Sequence, residues 1–161
     1  MTFALSGLSA AGLTTAEDIL GLSSRFGVTI DGTDLGRWGK CHGLAVDFKP
    51  EFWNQGGVYD MQQIMPGQMS YSQITLERAV SKTETIKVQG WLSSMVQSWI
   101  YAGNHASGGT GVITLYDSAG VQVVSWTLRN VYPSKWEGPK LDATSNGIAL
   151  ETLVIAHEGF L

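Results

Sequence analysis

Apolar residues recur at every second position along much of the chain, which is the spacing of half-buried β-strands. The first such run, residues 26–30, ends at the turn pair Asp31-Gly32, so the pattern predicts a strand followed by a hairpin. A second strand is predicted over residues 35–48. An isolated glycine, Gly43, interrupts it and indicates a bulge or a close approach of two backbones.

Three more alternating runs follow. Residues 70–79 have Ile74 and Leu76 on one side. This pattern predicts a strand whose other face is exposed to solvent or contacts a partner. Residues 112–115 and 121–128 flank a short polar turn that ends in glycine, the pattern of a β-hairpin.

The closing segment, residues 126–159, combines a strand, two proline-bearing loops, an uncharged polar turn and a second long strand. Pro133 and Pro139 are expected to break the chain, because proline cannot donate a ladder hydrogen bond. The last strand is predicted over residues 147–157. Both of its faces are largely apolar, which is typical of a central strand covered on both sides.

One segment has the period of a helix rather than of a strand. Thr83 or Thr85 is expected to cap it and Gly103 to end it. The apolar positions form one stripe, made of Val88, Trp91, Leu92, Met95, Val96 and Trp99. The opposite face is wholly uncharged, which favours a face covered by another subunit; its residues are Gln89, Gly90, Ser93, Ser94, Gln97 and Ser98.

Six or seven strands with one helix predict a mainly β fold. The arrangement is either an antiparallel β-barrel or two packed antiparallel sheets, with one amphipathic α-helix. At 161 residues the chain fits one domain, expected over residues 25–161.

Residues 1–24 form an N-terminal arm ahead of that domain. Thr14 and Glu17 have capping-box spacing, which predicts a short helix over residues 16–22; a flexible arm rich in small residues is the alternative. The arm lacks the basic start of a signal peptide. The sequence also has no run of about 18 apolar residues, so no transmembrane helix is predicted. Synthesis in the cytoplasm is therefore expected.

The segment of residues 49–68 has no sustained period, yet it is rich in large apolar side chains. A loop of this length inside a compact domain is usually functional or disordered, and disorder does not suit this composition. A partner surface is the favoured interpretation. The alternative is a loop folded back over one end of its own barrel.

Composition supports contact with other proteins. Charged residues make up only 15% of the chain against 43% hydrophobic ones, so uncharged surface must be presented somewhere. Of the six tryptophans, we expect about four in the core and about two at interfaces. A net charge of −4 with scattered basic residues argues against nucleic-acid binding.

The sequence contains few candidate reactive groups. Cys41 and His42 are adjacent on a predicted strand, so their side chains point to opposite faces and do not form a pair. His157-Glu158 begins like a zinc-protease motif, but no second histidine follows four residues on. The glycines around His105 lack the order of a phosphate loop. No catalytic residue, metal site or cofactor is therefore predicted, and the chain is not expected to be an enzyme.

Three ordered segments carry a family resemblance: RFGVTIDG, MPGQMSYSQITLERAVS and YPSKWEGPKLDATSNGIALETLVIAHEG. Over about residues 25–159 the chain resembles the tail tube (inner tube) proteins of contractile phage tails and phage-derived contractile injection systems. The resemblance implies a tail-tube or Hcp-like barrel, with six copies per ring and rings stacked into a hollow tube. A sheath surrounds such a tube, and its contraction drives the tube through a target envelope.

The resemblance also implies partners and contact residues. The partners would be further copies of the chain, the sheath protein, baseplate or tube-initiator proteins, and a tape-measure or cargo protein in the lumen. Residues 49–68 occupy the family's position for contact with the next ring, so the candidate stacking anchors are Phe52, Trp53, Tyr59 and Met61. The candidate lateral or sheath contacts are Gln89, Ser93, Ser94 and Gln97.

Several alternatives remain at the level of sequence. A paralogue that starts the tube at the baseplate has the same motifs, and an adaptor that caps the tube is a further option. The rivals from another class are a small β-sandwich enzyme and a carbohydrate-binding module. A tube subunit is expected to assemble in the cytoplasm within a tail-like particle, which is either released extracellularly or part of a virion.

Overall fold

A computed structural model describes residues 25–57 and 59–161, so the expected arm and its short helix lie outside the described residues. This part of the chain contains one long helix, α1 (Lys82–Ala102), followed by a single 3-10 turn, Gly103–His105. Its eleven strands are β1 (Phe26–Ile30), β2 (Thr33–Arg37), β3 (Lys40–His42), β4 (Val46–Asp47), β5 (Glu51–Trp53), β6 (Gln63–Met65), β7 (Ser70–Tyr71), β8 (Ile74–Ala79), β9 (Gly109–Tyr116), β10 (Gln122–Glu137) and β11 (Leu150–Ala156).

Seven strands form one antiparallel sheet in the order β2-β1-β9-β10-β11-β8-β3. The long β10 belongs to both halves of it: its first part pairs with β9 as far as Val131, and its second part pairs with β11 from Tyr132 onward. The register shifts between Leu128 and Val131, where Asn130 has a φ of 51°. Such an irregularity bends a strand, and here it divides the sheet into two packed halves.

The two edges of this sheet are consecutive in the chain. β2 and β3 lie at opposite ends of the strand order, and only Trp38 and Gly39 separate them. The Gly39 amide donates a hydrogen bond to the Glu77 carbonyl oxygen at 2.9 Å, and the Trp38 side chain is buried. The chain thus steps from one edge to the other and brings the sheet toward a barrel. The mainly β fold of packed antiparallel sheets with one helix is confirmed.

The alternating apolar positions form the core. Phe26, Val28 and Ile30 of β1 and Ile74 and Leu76 of β8 are buried, as predicted. The helix packs on the same core through Val88, Trp91 and Met95. Four tryptophans are buried or packed against the core and two are exposed, in the proportion expected from composition; the exposed two are Trp53 and Trp99.

A buried ion pair lies inside this core. Arg78 of β8 donates from Nε to Oε1 of Glu151 on β11 at 2.5 Å, and the two side chains are 4% and 0% exposed. Thr85 and Trp136 donate to the same carboxylate at 3.0 and 3.3 Å. Each oxygen of the buried carboxylate therefore has at least one donor, which a buried charge requires.

Some of the predicted boundaries are wrong. Pro133 does not break the chain but lies inside β10, at a register shift between Pro133 and Lys135. Such an irregularity is where a strand tolerates the missing amide hydrogen. The expected second strand, residues 35–48, is divided among β2, β3 and β4, because the chain changes sheet edge at Trp38.

The helix cap and the last strand also differ from the prediction. Ser81 is the N-cap of α1, with no capping bond from its side chain, and Thr85 is inside the helix with its hydroxyl on Glu151. β11 begins at Leu150 instead of residue 147. The core face of β11 is buried, but Leu150 on the other face is exposed, so residues 25–57 and 59–161 do not cover both faces.

The described helix is not a membrane span. No helix among residues 25–57 and 59–161 is both long and apolar enough to cross a membrane.

Removing one charge of the buried pair is expected to be more harmful than removing both. Glu151→Leu leaves Arg78 buried without its main partner and should lower the free energy of unfolding by about 3–5 kcal/mol. The double variant Arg78→Met/Glu151→Leu removes both charges and should regain most of that loss. Urea unfolding of both variants measures the difference. Equal destabilisation of the single and double variants would contradict this account.

Candidate assembly surfaces

The segment expected to be an irregular loop is instead a projecting hairpin. β4 pairs with β7 through Val46 and Tyr71, and β5 pairs with β6 through Phe52 and Ile64. Residues 46–53 therefore run antiparallel to residues 63–71 as one two-part ribbon, which we call the hairpin arm. The loop between its strands spans residues 54–62. Sequence reasoning missed this ribbon because strands of two or three residues are too short to show a period.

Two glycines allow the hairpin arm to leave the core. A Cβ on Gly43 would collide with the Gln73 carbonyl oxygen, and Gly43 also has a φ of 96°, so the close approach predicted there is present. A Cβ on Gly67 would collide with the carbonyl oxygen of Lys49, which lies between β4 and β5 on the facing side of the arm. Lys49 itself has a φ of 42°. Gly67 is therefore required by lack of space at the middle of the arm.

The candidate stacking anchors all lie on the hairpin arm and all are exposed. The exposed fractions are 59% for Phe52, 59% for Trp53, 100% for Tyr59 and 70% for Met61. Ile64, opposite Phe52, is exposed as well. This exposure contradicts the alternative of a loop folded back over its own barrel. A cluster of large exposed apolar groups is the usual mark of a protein contact.

The outer face of α1 is a second surface, which is uncharged from Gln89 to Gln97 and has the exposed Lys87 just before it. Gln89, Ser93, Ser94 and Gln97 are all exposed, as the sequence pattern indicates. Two isoleucines that the sequence reasoning missed extend this face, Ile86 at 62% and Ile100 at 71% exposed. The sequence could have shown their exposure. Ile86 and Ile100 are 14 residues apart, about four helical turns, so both lie on the same side of the helix and away from the apolar stripe.

Part of the predicted apolar stripe is not in the core. Val96 and Trp99 are both more than one-third exposed, because the second half of α1 extends beyond the buried contacts made by Val88, Trp91 and Met95. The Trp99 ring lies 6.2 Å from that of Tyr132, so this end of the helix still rests on β10.

A third exposed apolar patch flanks the loop between β10 and β11. Leu141, Ile148 and Leu150 are exposed beside a groove that Ile148 and Leu150 line together with Glu77 and Lys140. Sequence reasoning had assigned Ile148 and Leu150 to a covered face. The predicted alternation is correct, but the part of the chain that the structure describes supplies no second covering layer.

The candidate reactive groups are described by their burial and packing contacts. Cys41 is half-buried, and this burial raises the pKa of its thiol to about 11, while its neighbour His42 is exposed. His157 packs against Tyr71 and Phe160, and its Nε2 lies 3.0 Å from the Ser72 carbonyl oxygen. Burial lowers the pKa of His157. Among residues 25–57 and 59–161, no group of three His, Cys, Asp or Glu side chains could hold a metal ion.

A packed antiparallel β-fold that concentrates its apolar surface on a projecting hairpin and a helix face is typical of a subunit that joins other subunits. The sequence profile described as the T4-like virus tail tube protein gp19 matches residues 22–161. The chain therefore belongs to this family of tail tube proteins, which are structural proteins and not enzymes.

Solved structures agree with this assignment. The chain is similar to one in the extended sheath-tube complex of PVC, an extracellular contractile injection system, at 23% identity and a TM-score of 0.67, covering 89% of this chain and 91% of the other. A chain of the anti-feeding prophage tube-terminating cap is 28% identical with a TM-score of 0.63, covering 89% and 93%. A chain of the anti-feeding prophage baseplate is 20% identical with a TM-score of 0.64, covering 87% and 93%. A comparison with curated proteins finds no match.

The glycine in the middle of the hairpin arm can be tested directly. Gly67→Ala should separate the two strands of the arm, at a cost of about 1–3 kcal/mol for overpacking, without unfolding the core. Hydrogen exchange should then accelerate in residues 46–53 and 63–71 but not in β8 or β11. Gly56→Ala is the matched control, because a Cβ at Gly56 meets open space. Unchanged exchange in Gly67→Ala would contradict the proposed close contact.

The buried thiol gives a second test. At pH 8 a thiol with a pKa of about 11 has far less thiolate than an ordinary cysteine, so Cys41 should react at least about tenfold more slowly with a maleimide in the folded than in the unfolded protein. Reactivity of the folded protein should rise as the pH increases toward 11. The control is Cys41→Ser/Ser94→Cys, which presents an exposed thiol. Similar rates for the native and control thiols would contradict the burial of Cys41.

Proposed function

We propose that the chain is the repeating subunit of the inner tube of a contractile injection system or phage tail. Six copies form a ring, and the rings stack into a hollow conduit that sheath contraction drives through a target envelope. The observation that carries the proposal is the hairpin arm, which exposes large aromatic side chains on a chain of the tail tube family.

Stacking is assigned to the hairpin arm. Phe52 and Trp53 lie on β5, while Tyr59 and Met61 lie in the loop at its tip, so all four anchors belong to one projecting element. Buried aromatic anchors supply most of the energy of protein interfaces, whereas the surrounding contacts mainly exclude water. The four side chains are our candidates for the contact with the next ring.

The outer face of α1 is assigned to lateral or sheath contacts. Gln89, Ser93, Ser94 and Gln97 are exposed and uncharged, and Gly90 beside them has open space around it. A glycine inside a helix costs about 1 kcal/mol relative to alanine. No contact among the described residues requires Gly90, and close approach of a partner backbone gives it a role.

The proposed partners follow from the same surfaces. They are further copies of the chain, a sheath protein, baseplate proteins and a tape-measure or cargo protein in the lumen. The similarity to a chain of a sheath-tube complex supports the sheath as a partner. The particle is assembled in the cytoplasm and is then released extracellularly or forms part of a virion.

A tube-initiator ring at the baseplate is the second candidate. The similarity to a chain of the anti-feeding prophage baseplate favours it specifically. Negative-stain electron microscopy of the purified protein separates the two functions: stacked rings support the repeating subunit, and single rings support the initiator. Monomers alone would contradict both.

Removing two anchors should abolish stacking while leaving the fold intact. Trp53→Ala/Tyr59→Ala is expected to raise the protein concentration needed for tube formation by at least about a hundredfold, since each lost hot spot is worth about 2 kcal/mol or more. Both side chains are more than half exposed, so the melting temperature should not change. Sedimentation and electron microscopy measure the tubes.

The control for this variant is Val121→Ala, which truncates an exposed apolar residue outside the hairpin arm. It should form tubes like the unaltered protein. Tubes of normal length and yield from Trp53→Ala/Tyr59→Ala would contradict the assignment of the anchors.

A further inference from the structure

The methionines are divided sharply between surface and core. Met61, Met65 and Met69 are 70%, 39% and 51% exposed, whereas Met95 on α1 is 7% exposed. All three exposed methionines lie on or beside the hairpin arm, and among the described residues these four are the only methionines. The exposed thioethers are therefore concentrated on the element to which stacking is assigned.

The three methionines share the surroundings of the stacking anchors. Met65 ends β6 directly after Ile64, which pairs with Phe52, and Met61 lies in the loop at the tip of the arm. Met69 immediately precedes β7. A polar group introduced at these positions would thus appear among the apolar side chains that are to be covered by the next ring.

We propose that Met61, Met65 and Met69 form a reversible oxidation site that controls ring stacking. The oxidant is a peroxide such as hydrogen peroxide. The thioether sulfur attacks one peroxide oxygen and forms a sulfur–oxygen bond, the O–O bond breaks, and the other oxygen leaves as water. The sulfur loses two electrons to the peroxide and becomes a sulfoxide.

The sulfoxide changes what the hairpin arm can bind. Oxidation converts a flexible apolar side chain into a polar one, which disrupts interfaces rich in methionine, and methionine sulfoxide reductases reverse it. Oxidised subunits would have to bury polar sulfoxides in order to stack. Subunits already in a tube are protected because the next ring covers the same sulfur atoms.

Other oxidisable sulfur atoms in the described residues are less accessible. Met95 is buried between the helix and the sheet. Cys41 is half-buried, and its raised pKa keeps the thiol protonated and slow to react near neutral pH. Among the sulfur atoms of the described residues, limited peroxide should therefore reach those of the three arm methionines first.

The inference rests on the proposed function, because its effect is measured as ring stacking. The experiment treats the full-length purified protein with limiting hydrogen peroxide while it is unassembled, removes the peroxide, and then allows polymerisation. Peptide mass spectrometry locates each added oxygen, and sedimentation measures the polymer. A second portion is treated with methionine sulfoxide reductases before polymerisation.

We expect sulfoxides on Met61, Met65 and Met69, a loss of polymer of about tenfold or more, and recovery after the reductases. Protein oxidised after assembly should carry fewer sulfoxides at these positions. Met65→Leu/Met69→Leu should lose less polymer than the unaltered protein, each relative to its own untreated sample. Met95→Leu is the control and should remain as sensitive as the unaltered protein.

Two kinds of failure are distinguishable. Normal polymerisation of protein with all three sulfoxides, or a loss that the reductases do not reverse, would overturn the oxidation site and leave the tube function standing. Absence of polymer in the untreated sample would overturn the proposed tube function and, with it, control of stacking by oxidation.

Discussion

The buried Arg78–Glu151 pair is the interaction at which most elements of the fold meet. It joins β8 to β11 directly, and Arg78 also donates to the Leu35 carbonyl oxygen of β2 at 2.6 Å. Trp136 of β10 and Thr85 of α1 donate to the same carboxylate, and the guanidinium lies 4.1 Å from the centroid of the Trp38 ring at the corner between the sheet edges. One charged pair thus fixes the helix, four strands and the closing corner together. A displaced charge would lose these partners, so the pair opposes other arrangements of the elements that meet there.

The sequence predicts the elements whose pattern is local. The alternation in residues 26–30 with its Asp31-Gly32 turn, the helix stripe and its Gly103 end, and the hairpin of β9 and β10 are all present. What it does not predict depends on contacts between distant residues. Pro133 stands inside β10 because a register shift against β11 removes the need for its amide hydrogen, and that shift is a property of two strands. The division of residues 35–48 likewise follows from the two edges that they join.

The same distinction explains the candidate surfaces. Phe52, Trp53, Tyr59 and Met61 could be predicted as exposed because they are large apolar residues in a segment without the period of a core element. Ile148 and Leu150 could not, because alternation shows which residues share a face but not whether the chain supplies a layer to cover that face. Val96 and Trp99 illustrate the opposite error: a continuous stripe predicts burial along the whole helix, yet the core is shorter than the helix. Exposure depends on where the neighbouring elements end.

The free subunit must expose the surface that is proposed to be covered in an assembly, and exposed surface carries a risk of aggregation. The fold limits this risk at the edges of the sheet. Edge strands pair readily with other chains unless they are short, charged or irregular. Here β3 is only three residues long and begins at Lys40, while β2 carries Asp34 and Arg37, a register shift against β1, and Gly36 with a φ of 84°. Unspecific pairing at the edges is therefore disfavoured, whereas the apolar side chains are concentrated on the hairpin arm, the outer face of α1 and the loop before β11. Contacts made through side chains on a rigid frame depend on shape, so the design favours ordered association over edge-to-edge aggregation.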